Sequence, residues 1–158
     1  MKAINGNKNE ALIKLVYKNK NQSKKLKRLA DNFYKKFVQS KSVKNEDLNI
    51  LIHFNSVGRI ETIRKKTINI QKCIAIINII ELLKYAKYCN WKYPKPAHVK
   101  KYHAIGFLNF QSKLLIKNKY YYFRIPVMVS ETKGKFQYYI NQNIVVDIEK
   151  KKPETTAD

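Results

Sequence analysis

Alternation of apolar and polar residues near the carboxyl end is the feature that most limits the folds open to this chain. In the stretch YYYFRIPVMV the odd-numbered positions are apolar or aromatic: Tyr121, Phe123, Ile125, Val127 and Val129. The even-numbered positions include a cation and further aromatic rings: Tyr120, Tyr122, Arg124, Pro126 and Met128. Successive side chains of a β-strand point to opposite faces of a sheet. The run therefore predicts a strand with one buried face and one open, aromatic and cationic face.

The order of helical and strand-like segments predicts the fold class. Period-two alternation extends from Tyr102 to Ile148, whereas three earlier segments have helical spacing: EALIKLVYK, SKKLKRLADNFYKKFVQS and NEDLNILIHF. A longer helix is predicted over residues 67–90, and Pro94 and Pro96 follow its end. Helices first and strands last favour an α+β fold, in which helices pack on one face of an antiparallel, twisted sheet of four or five strands.

The charge of the chain indicates a polyanionic partner. Lys and Arg total 33 against 11 Asp and Glu, a formal net charge of +22. A composition bias toward lysine would enrich glutamate as well, so the scarcity of acidic residues points to selection for binding a polyanion. The competing interpretation is a solvated basic surface.

Several classes of site are not indicated by the sequence. Cys73 and Cys89 lack metal-ligand spacing and are expected to be reduced, and the scattered acidic residues disfavour a carboxylate-held magnesium site. No phosphate-binding or dinucleotide-binding motif is present. The polar start MKAINGNKNE predicts no signal peptide, and the most apolar run, CIAIINIIELL, is too short to cross a bilayer. We therefore expect no metal, no cofactor and no membrane span.

The first predicted hairpin places two cations side by side on the open face. Asparagine tolerates positive φ, so Asn118 and Lys119 are predicted to form a two-residue turn. In that register Lys113 lies directly opposite Arg124, which is unfavourable for two like charges. A phosphate bound between them would reverse the sign of that interaction. The pairing favours a phosphate site, and the alternative is two cations that splay into water.

The second predicted hairpin extends the same surface. It turns through ETKG, pairs Ser130 with Lys135, and places Asn141 opposite Arg124. Tyr139 joins the open face beside this row, where aromatic rings offer platforms for nucleobases. The same register predicts that three residues join the buried face: Phe136, Tyr138 and Ile140.

With these features in place, the segment GFLNFQSKLLIKNKYYYFRIPVMVSETKGKFQYYI resembles the barnase–EndoU–colicin–RelE-like nuclease superfamily. More narrowly, it resembles the members found in phage polyvalent proteins and in contact-dependent and other polymorphic bacterial toxins. The resemblance covers about residues 57–148. It implies an antiparallel sheet with helices on one face and RNA on the other. The implied activity is metal-independent RNA cleavage, commonly of tRNA, by attack of a 2′-hydroxyl on the adjacent phosphate.

Cleavage of this kind requires a base, cations around the phosphorane and an acid. Under the resemblance, His103 is the first candidate for acid or base and His98 the second, whereas His53 is expected to be buried in a helix. Arg124 and Lys113 are expected to clamp the phosphate. Two more residues are candidates for donating a hydrogen bond or stacking at the catalytic site: Thr132 and Tyr139. The other side chains expected to bind RNA are Lys100, Lys101, Lys117, Tyr120, Tyr122, Lys133, Lys135 and Asn141.

The expected organisation is a basic helical segment of residues 1–56, a nuclease-like domain of residues 57–150 and a polar tail of residues 151–158. We expect action in the bacterial cytoplasm, delivery as the C-terminal part of a secreted effector, and an acidic immunity protein that covers the Arg124 face. Two alternatives remain open. One is a non-catalytic nucleic-acid-binding protein of phage or bacterial origin, and the other is an interaction module for an acidic protein.

Overall fold

A computed structural model describes residues 1–140 and 144–151 of the chain, the last strand by its backbone alone. The first half is mainly helical, apart from a short strand and one hairpin. Its elements are β1 (Ala3–Asn5), α1 (Glu10–Lys18), α2 (Ser23–Phe33) with a π-helical turn (Tyr34–Val38), β2 (Ser42–Asn45), β3 (Ile50–His53), α3 (Ser56–Arg59) with a π-helical turn (Ile60–Arg64), α4 (Ile70–Ile77) and α5 (Ile79–Tyr85). The second half is mainly strand. Its elements are β4 (Lys87–Lys92), α6 (Pro96–Tyr102), β5 (Ala104–Ile116), β6 (Lys119–Thr132), β7 (Lys135–Ile140) and β8 (Val145–Lys151).

All eight described strands belong to one sheet, with β5 and β6 as its long central pair. Its main path runs β1-β5-β6-β7-β3-β2, while β4 lies beside the first half of β5 and β8 beside the first half of β6. β1 is parallel to β5 and β3 is parallel to β7. The α+β class is confirmed. The expected antiparallel sheet of four or five strands is wrong, because three strands from the supposedly helical first third join it.

Two segments predicted to be helical contain strands instead. Residues 50–53 form β3, where Leu51 is exposed while Ile52 and Phe54 are buried. The helix predicted over residues 67–90 ends at Tyr85, and residues 87–92 pair with β5 as β4. Both segments find a neighbouring strand, so hydrogen bonds across the sheet override the local helical spacing. His53, expected in a buried helix, lies half-buried on β3.

The buried face of the sheet carries the main hydrophobic core. Phe110 of β5 and Phe123 of β6 are fully buried, and α5 packs directly on β5. Ser112 Oγ donates to the Leu82 carbonyl of α5 at 3.3 Å, which fixes the helix to the strand. The predicted partition of β6 into a buried and an open face is correct from Tyr120 to Pro126, whereas Met128, predicted to lie on the open face, is buried. On β7, Phe136 was predicted to join the buried face but is 52% exposed, because it lies at the far end of the β6–β7 hairpin.

In both hairpins the cross-strand register differs by two residues from the predicted one. In the first, Lys117 and Asn118 form the turn and Lys117 has a φ of 55°. In the second, Lys133 and Gly134 form the turn with φ values of 53° and 76°, which suits a two-residue hairpin loop. Ser130 therefore pairs with Gln137 and not with Lys135. A shift of two leaves every side chain on its predicted face, because the strand repeat is two residues.

The sheet contains strands from both sides of residue 56. β1, β2 and β3 precede that position, and the other five strands follow it. The division of the chain into a segment of residues 1–56 and a domain of residues 57–150 stays a prediction, and the tail after residue 151 lies outside the described residues.

Candidate nucleic-acid interface

Helix α6 and the connector before it cover one end of the open face and enclose a cleft of about 490 Å³. One wall comes from β4 and the connector: Asn90, Lys92, Tyr93 and Lys95. His98 of α6 lines the opposite side. The floor comes from the open face of β5 and β6: Phe107, Asn109, Arg124 and Pro126. The cleft therefore combines cationic, aromatic and amide side chains.

A small apolar cluster holds α6 against the open face. Phe107 of β5 and Met128 of β6 are cross-strand partners and are buried, and Tyr102 and Tyr139 pack against them. Ser130 Oγ donates to the Tyr102 carbonyl at 2.8 Å, which fixes the end of α6. The face predicted to be open along its whole length is thus covered at this end, because its own residues are apolar there.

His98 lies between two aromatic rings. Its ring centroid is 5.3 Å from that of Phe107 in an edge-on arrangement and 6.3 Å from that of Tyr102 in a stacked one. Pro96 occupies the start of α6, and its fixed φ favours helix initiation at that point. The imidazole is half-buried and its Nδ1 atom is buried, so the side chain has a defined position in the cleft.

Arg124 is exposed and lies opposite Gln111, not opposite Lys113 as predicted. Lys113 lies opposite Tyr122, so the two cations are diagonal neighbours on one face, with Cα atoms about 7–8 Å apart. The Lys113 ammonium is 4.2 Å from the ring centroid of Tyr120 and 5.8 Å from that of Tyr122. This cation–π arrangement continues the aromatic and cationic surface beyond the cleft.

Two asparagines meet on the cleft side of β4 and β5. Asn90 and Asn109 are cross-strand partners, and Asn109 Nδ2 donates to Asn90 Oδ1 at 2.8 Å. This bond uses the amide nitrogen of Asn109 and the amide oxygen of Asn90. An asparagine side chain offers both donor hydrogens and an acceptor oxygen, so each residue has a second hydrogen-bonding group. The pair thus presents an acceptor, Asn109 Oδ1, beside a donor, Asn90 Nδ2.

Trp91, between Asn90 and Lys92, also borders the cleft but packs its ring on the other side of the strand. It pairs with Leu108, and alternation places its indole on the face opposite to Asn90. The six-membered ring lies across Gly106, where an added Cβ would come within 1.8 Å of Trp91 Cζ2. The indole of Trp91 therefore packs directly on the Gly106 backbone, and this contact holds β4 against β5.

Of the six predicted catalytic residues only His98 and Arg124 line the cleft, and His103 and Thr132 are two of the four that do not. His103 follows α6 with a φ of 55°, is exposed, and accepts a hydrogen bond at its carbonyl from the Glu131 amide at 3.1 Å. Thr132 is exposed at the end of β6, eight positions from Arg124, or about 27 Å at the usual rise of a strand. The structure does not assemble His103, Thr132 and Arg124 into one site.

The predicted RNA-binding lysines are spread over the surface. All of them are exposed, on α6 or at one of the two hairpin turns: Lys100, Lys101, Lys117, Lys133 and Lys135. Lys117 Nζ lies 3.9 Å from the ring centroid of Tyr17 in α1. Burial raises the pKa of the Tyr17 phenol and nearby Tyr121 adds to this, while the Lys119 ammonium opposes it.

Tyr139 lies on the predicted face but inside the apolar cluster under α6. Its hydroxyl donates to Gln137 Oε1, and its ring centroid is 5.7 Å from that of His53. It is half-buried and packs against the cluster that contains Phe107 and Met128, and its predicted catalytic role stays a prediction. Asn141 lies outside the described residues.

Sequence reasoning missed the wall of the cleft formed by β4 and the connector. Tyr93, Lys92 and Lys95 were available in the string WKYPKP, where aromatic residues alternate with lysines just before two prolines. That pattern marks an exposed, extended basic segment. No local signal pointed to Asn90 and Asn109, because their meeting depends on residues 87–92 forming a strand.

Within residues 1–140 and 144–151, no group of three or more His, Cys, Asp or Glu side chains is arranged to hold a metal ion. No helix of this described part combines the length and apolarity needed to cross a membrane.

Comparison with known protein families gives a match over most of the chain. The family model described as large polyvalent protein-associated domain 3 matches residues 21–139, more than half of the chain. The matched range includes β4, α6 and every residue of the cleft. No curated protein and no solved structure matches the chain.

Proposed function

The chain belongs to the large polyvalent protein-associated domain 3 family, and from this premise we propose that its cleft binds RNA and cleaves it without a metal. In the proposed reaction a ribose 2′-hydroxyl attacks the adjacent phosphate, which leaves a cyclic phosphate and a free 5′-hydroxyl. The proposed substrate class is tRNA. The observation that carries the proposal is that His98 and Arg124 line the same cleft.

His98 is the proposed base for the 2′-hydroxyl. Histidine is the side chain that most often acts as a general base, and the neighbouring rings of Phe107 and Tyr102 restrict the orientation of the His98 imidazole. His98 takes precedence over His103, which lies outside the cleft.

Arg124 is the proposed phosphate ligand. Its planar guanidinium can donate two parallel hydrogen bonds to phosphate oxygens and stabilise the charge of the phosphorane. Lys92 and Lys95 add positive charge at the wall of the cleft. An ammonium group there, or water, supplies the proton that the leaving 5′-oxygen takes up.

The test is a comparison of two histidine variants on labelled tRNA, with EDTA present throughout. We expect His98→Ala to cleave about 10²- to 10⁴-fold more slowly than the parent, because a positioned general base usually contributes a factor of this size to the rate. His103→Ala is the matched control and should cleave like the parent. Parental cleavage by a folded His98→Ala protein would show that the base has been assigned wrongly.

A second candidate function is nucleic-acid binding without cleavage. It is favoured by the composition of the cleft, whose described lining contains one histidine but three cationic side chains of lysine or arginine. In that case intact RNA would be recovered in EDTA, and affinity would fall steeply with salt.

The family also suggests a setting for the proposed activity. We infer that the domain works within a larger polyvalent protein, delivered as the C-terminal part of a secreted effector that acts in the bacterial cytoplasm. An acidic immunity protein would then protect producing cells by covering the cleft. Co-purification with a strongly acidic protein that protects Arg124 from modification would support this. A basic partner bound on the helical side would contradict it.

A further inference from the structure

We propose that the cleft contains a binding site for one unpaired nucleobase, with Tyr93 as its stacking surface and Asn90 and Asn109 at its edge. This inference rests on the proposed function only in taking nucleic acid as the ligand, and it does not require cleavage. It assigns single-stranded or looped segments, and not uninterrupted duplex, as the substrate class.

Tyr93 is the most exposed large aromatic residue of the described chain, at 81% exposure. A phenol ring left in water next to a cleft is informative, because burial would normally stabilise it. Pro94 restricts Tyr93 to extended conformations, so the ring is displayed with less backbone freedom than in an ordinary loop. Nucleobases stack on such rings whatever their identity, since every base has a π-face.

The floor and far side of the cleft complete the walls that a flat ring requires. Phe107 is buried in the floor of the cleft, and the His98 imidazole lies on the side formed by α6. A volume of about 490 Å³ lies in the range of ordinary small-ligand sites, which suits one nucleotide. A paired base offers no free face because its neighbours in the helix cover it, so it would first have to leave the stack.

The asparagine pair supplies the edge contacts. Asn109 Oδ1 is an acceptor beside the donor Asn90 Nδ2, and a nucleobase presents complementary donors and acceptors on its Watson–Crick edge. Arg124 and the lysines of the wall then lie where the phosphates on either side of the base would pass. Aromatic stacking next to a cationic path is the usual composition of single-strand sites.

The experiment measures affinity for 2′-O-methyl oligonucleotides, which bind but have no free 2′-hydroxyl to react. Three labelled ligands of equal length are compared: a single strand, a perfect duplex and an abasic strand with the same backbone. We expect the single strand to bind at least about fivefold more tightly than the other two, and Tyr93→Ala to weaken only its binding, by roughly fivefold to hundredfold. Phe136→Ala, which removes an exposed aromatic ring at the far hairpin, is the control and should bind like the parent.

The outcomes separate this site from the proposed reaction. Equal binding of the abasic and the complete strand, or equal losses for both in Tyr93→Ala, would overturn the nucleobase site even if RNA is cleaved in EDTA. Selective binding of the complete strand, lost in Tyr93→Ala, supports the site even if RNA remains intact in the cleavage assay.

Discussion

At the scale of single residues, two arginines of this chain occupy opposite environments. Arg59 is buried and pairs with Asp31 at 2.7 Å, with Gln39 as a further hydrogen-bond partner at 3.1 Å, so its role is structural. Arg124 is exposed at the floor of the cleft, in a strand region where lysine is otherwise the cation used. A planar fork is needed there only if two oxygens of one group are to be held at once.

The first prediction follows from that contrast. Arg124→Lys keeps the charge, so we expect RNA affinity to stay within a few-fold of the parent. Cleavage should fall roughly a hundredfold or more, on the scale of one lost oxyanion donor. The measurement is single-turnover cleavage of labelled tRNA in EDTA, with Lys133→Ala at the distant hairpin as control. If Arg124→Lys cleaves at the parental rate, Arg124 is not the residue that holds the phosphate.

Residue-level prediction from the sequence succeeded where strand alternation decides the outcome. Arg124 faces the solvent and Phe123 faces the core, as the alternation of one strand requires. The choice between His98 and His103 depends on where α6 ends, since His103 lies just past its last turn and outside the cleft. No local pattern specifies how a short helix docks on a sheet, so the sequence alone did not show that His98, and not His103, lines the cleft.

A second prediction concerns Lys72, a buried lysine of α4. Burial lowers the pKa of its ammonium to about 8, and nearby Lys66 and Lys27 add to this. The folded state therefore holds the proton less tightly than the unfolded state, so this group makes the protein more stable as pH rises from about 8 toward 10.5. We expect Lys72→Met to raise the free energy of unfolding at pH 7 by about 1–3 kcal/mol.

Chemical denaturation of the parent and Lys72→Met at several pH values tests this. The stabilisation of the variant should shrink as the pH rises from about 8 toward 10.5, because Lys72 of the folded parent loses its proton over this range. Lys135→Met, at an exposed position, is the control and should show a difference from the parent that does not vary with pH. A pH-independent advantage for Lys72→Met would indicate a packing effect alone.

At the scale of elements, β4 is a strand that the sequence did not predict, and it forms one wall of the cleft. Its Tyr88 packs edge-on against Phe110, with centroids 6.1 Å apart, while its Asn90 faces the cleft. Periodicity continued the preceding helix through this segment because CIAIINIIELL has apolar residues almost all round. The hairpins show the reverse case. Their faces were predicted correctly although the cross-strand register of each differs by two residues from the expected one, since turn type is set by φ and not by hydrophobic pattern.

The third prediction uses the contact that holds β4 in place. Gly106→Ala would put a methyl group into the ring of Trp91, so the indole must leave its position. We expect a loss of about 1–3 kcal/mol of stability, typical of overpacking. Trp91 is the one tryptophan of the chain, so its emission reports this site alone and should shift to the red as the ring enters water. Gly134→Ala, at an open turn with a φ of 76°, is a control for backbone strain without contact to Trp91.

At the scale of the whole molecule, the charge of +22 favours attraction to polyanions but does not show which part of the surface would bind one. Binding through the cleft would use the three described cations that line it, Lys92, Lys95 and Arg124, together with Lys113 on the open face beside it. Binding through the general surface would draw on many more lysines with similar weight. The two cases differ in how affinity depends on salt, because each neutralised phosphate of a single strand releases counterions and contributes about −0.7 to the slope of log affinity against log salt.

The last prediction is therefore a pair of slopes. For a short single strand the parent should give a slope of about −3, from four phosphate contacts, and Lys92→Ala should make it less steep by about 0.7. Lys135→Ala removes the same charge from an exposed position at the far hairpin and should leave the slope unchanged. Anisotropy titrations between low and physiological salt provide the measurement. Equal changes of slope in both variants would mean that the basic surface as a whole binds the polyanion and that the cleft is not the binding site.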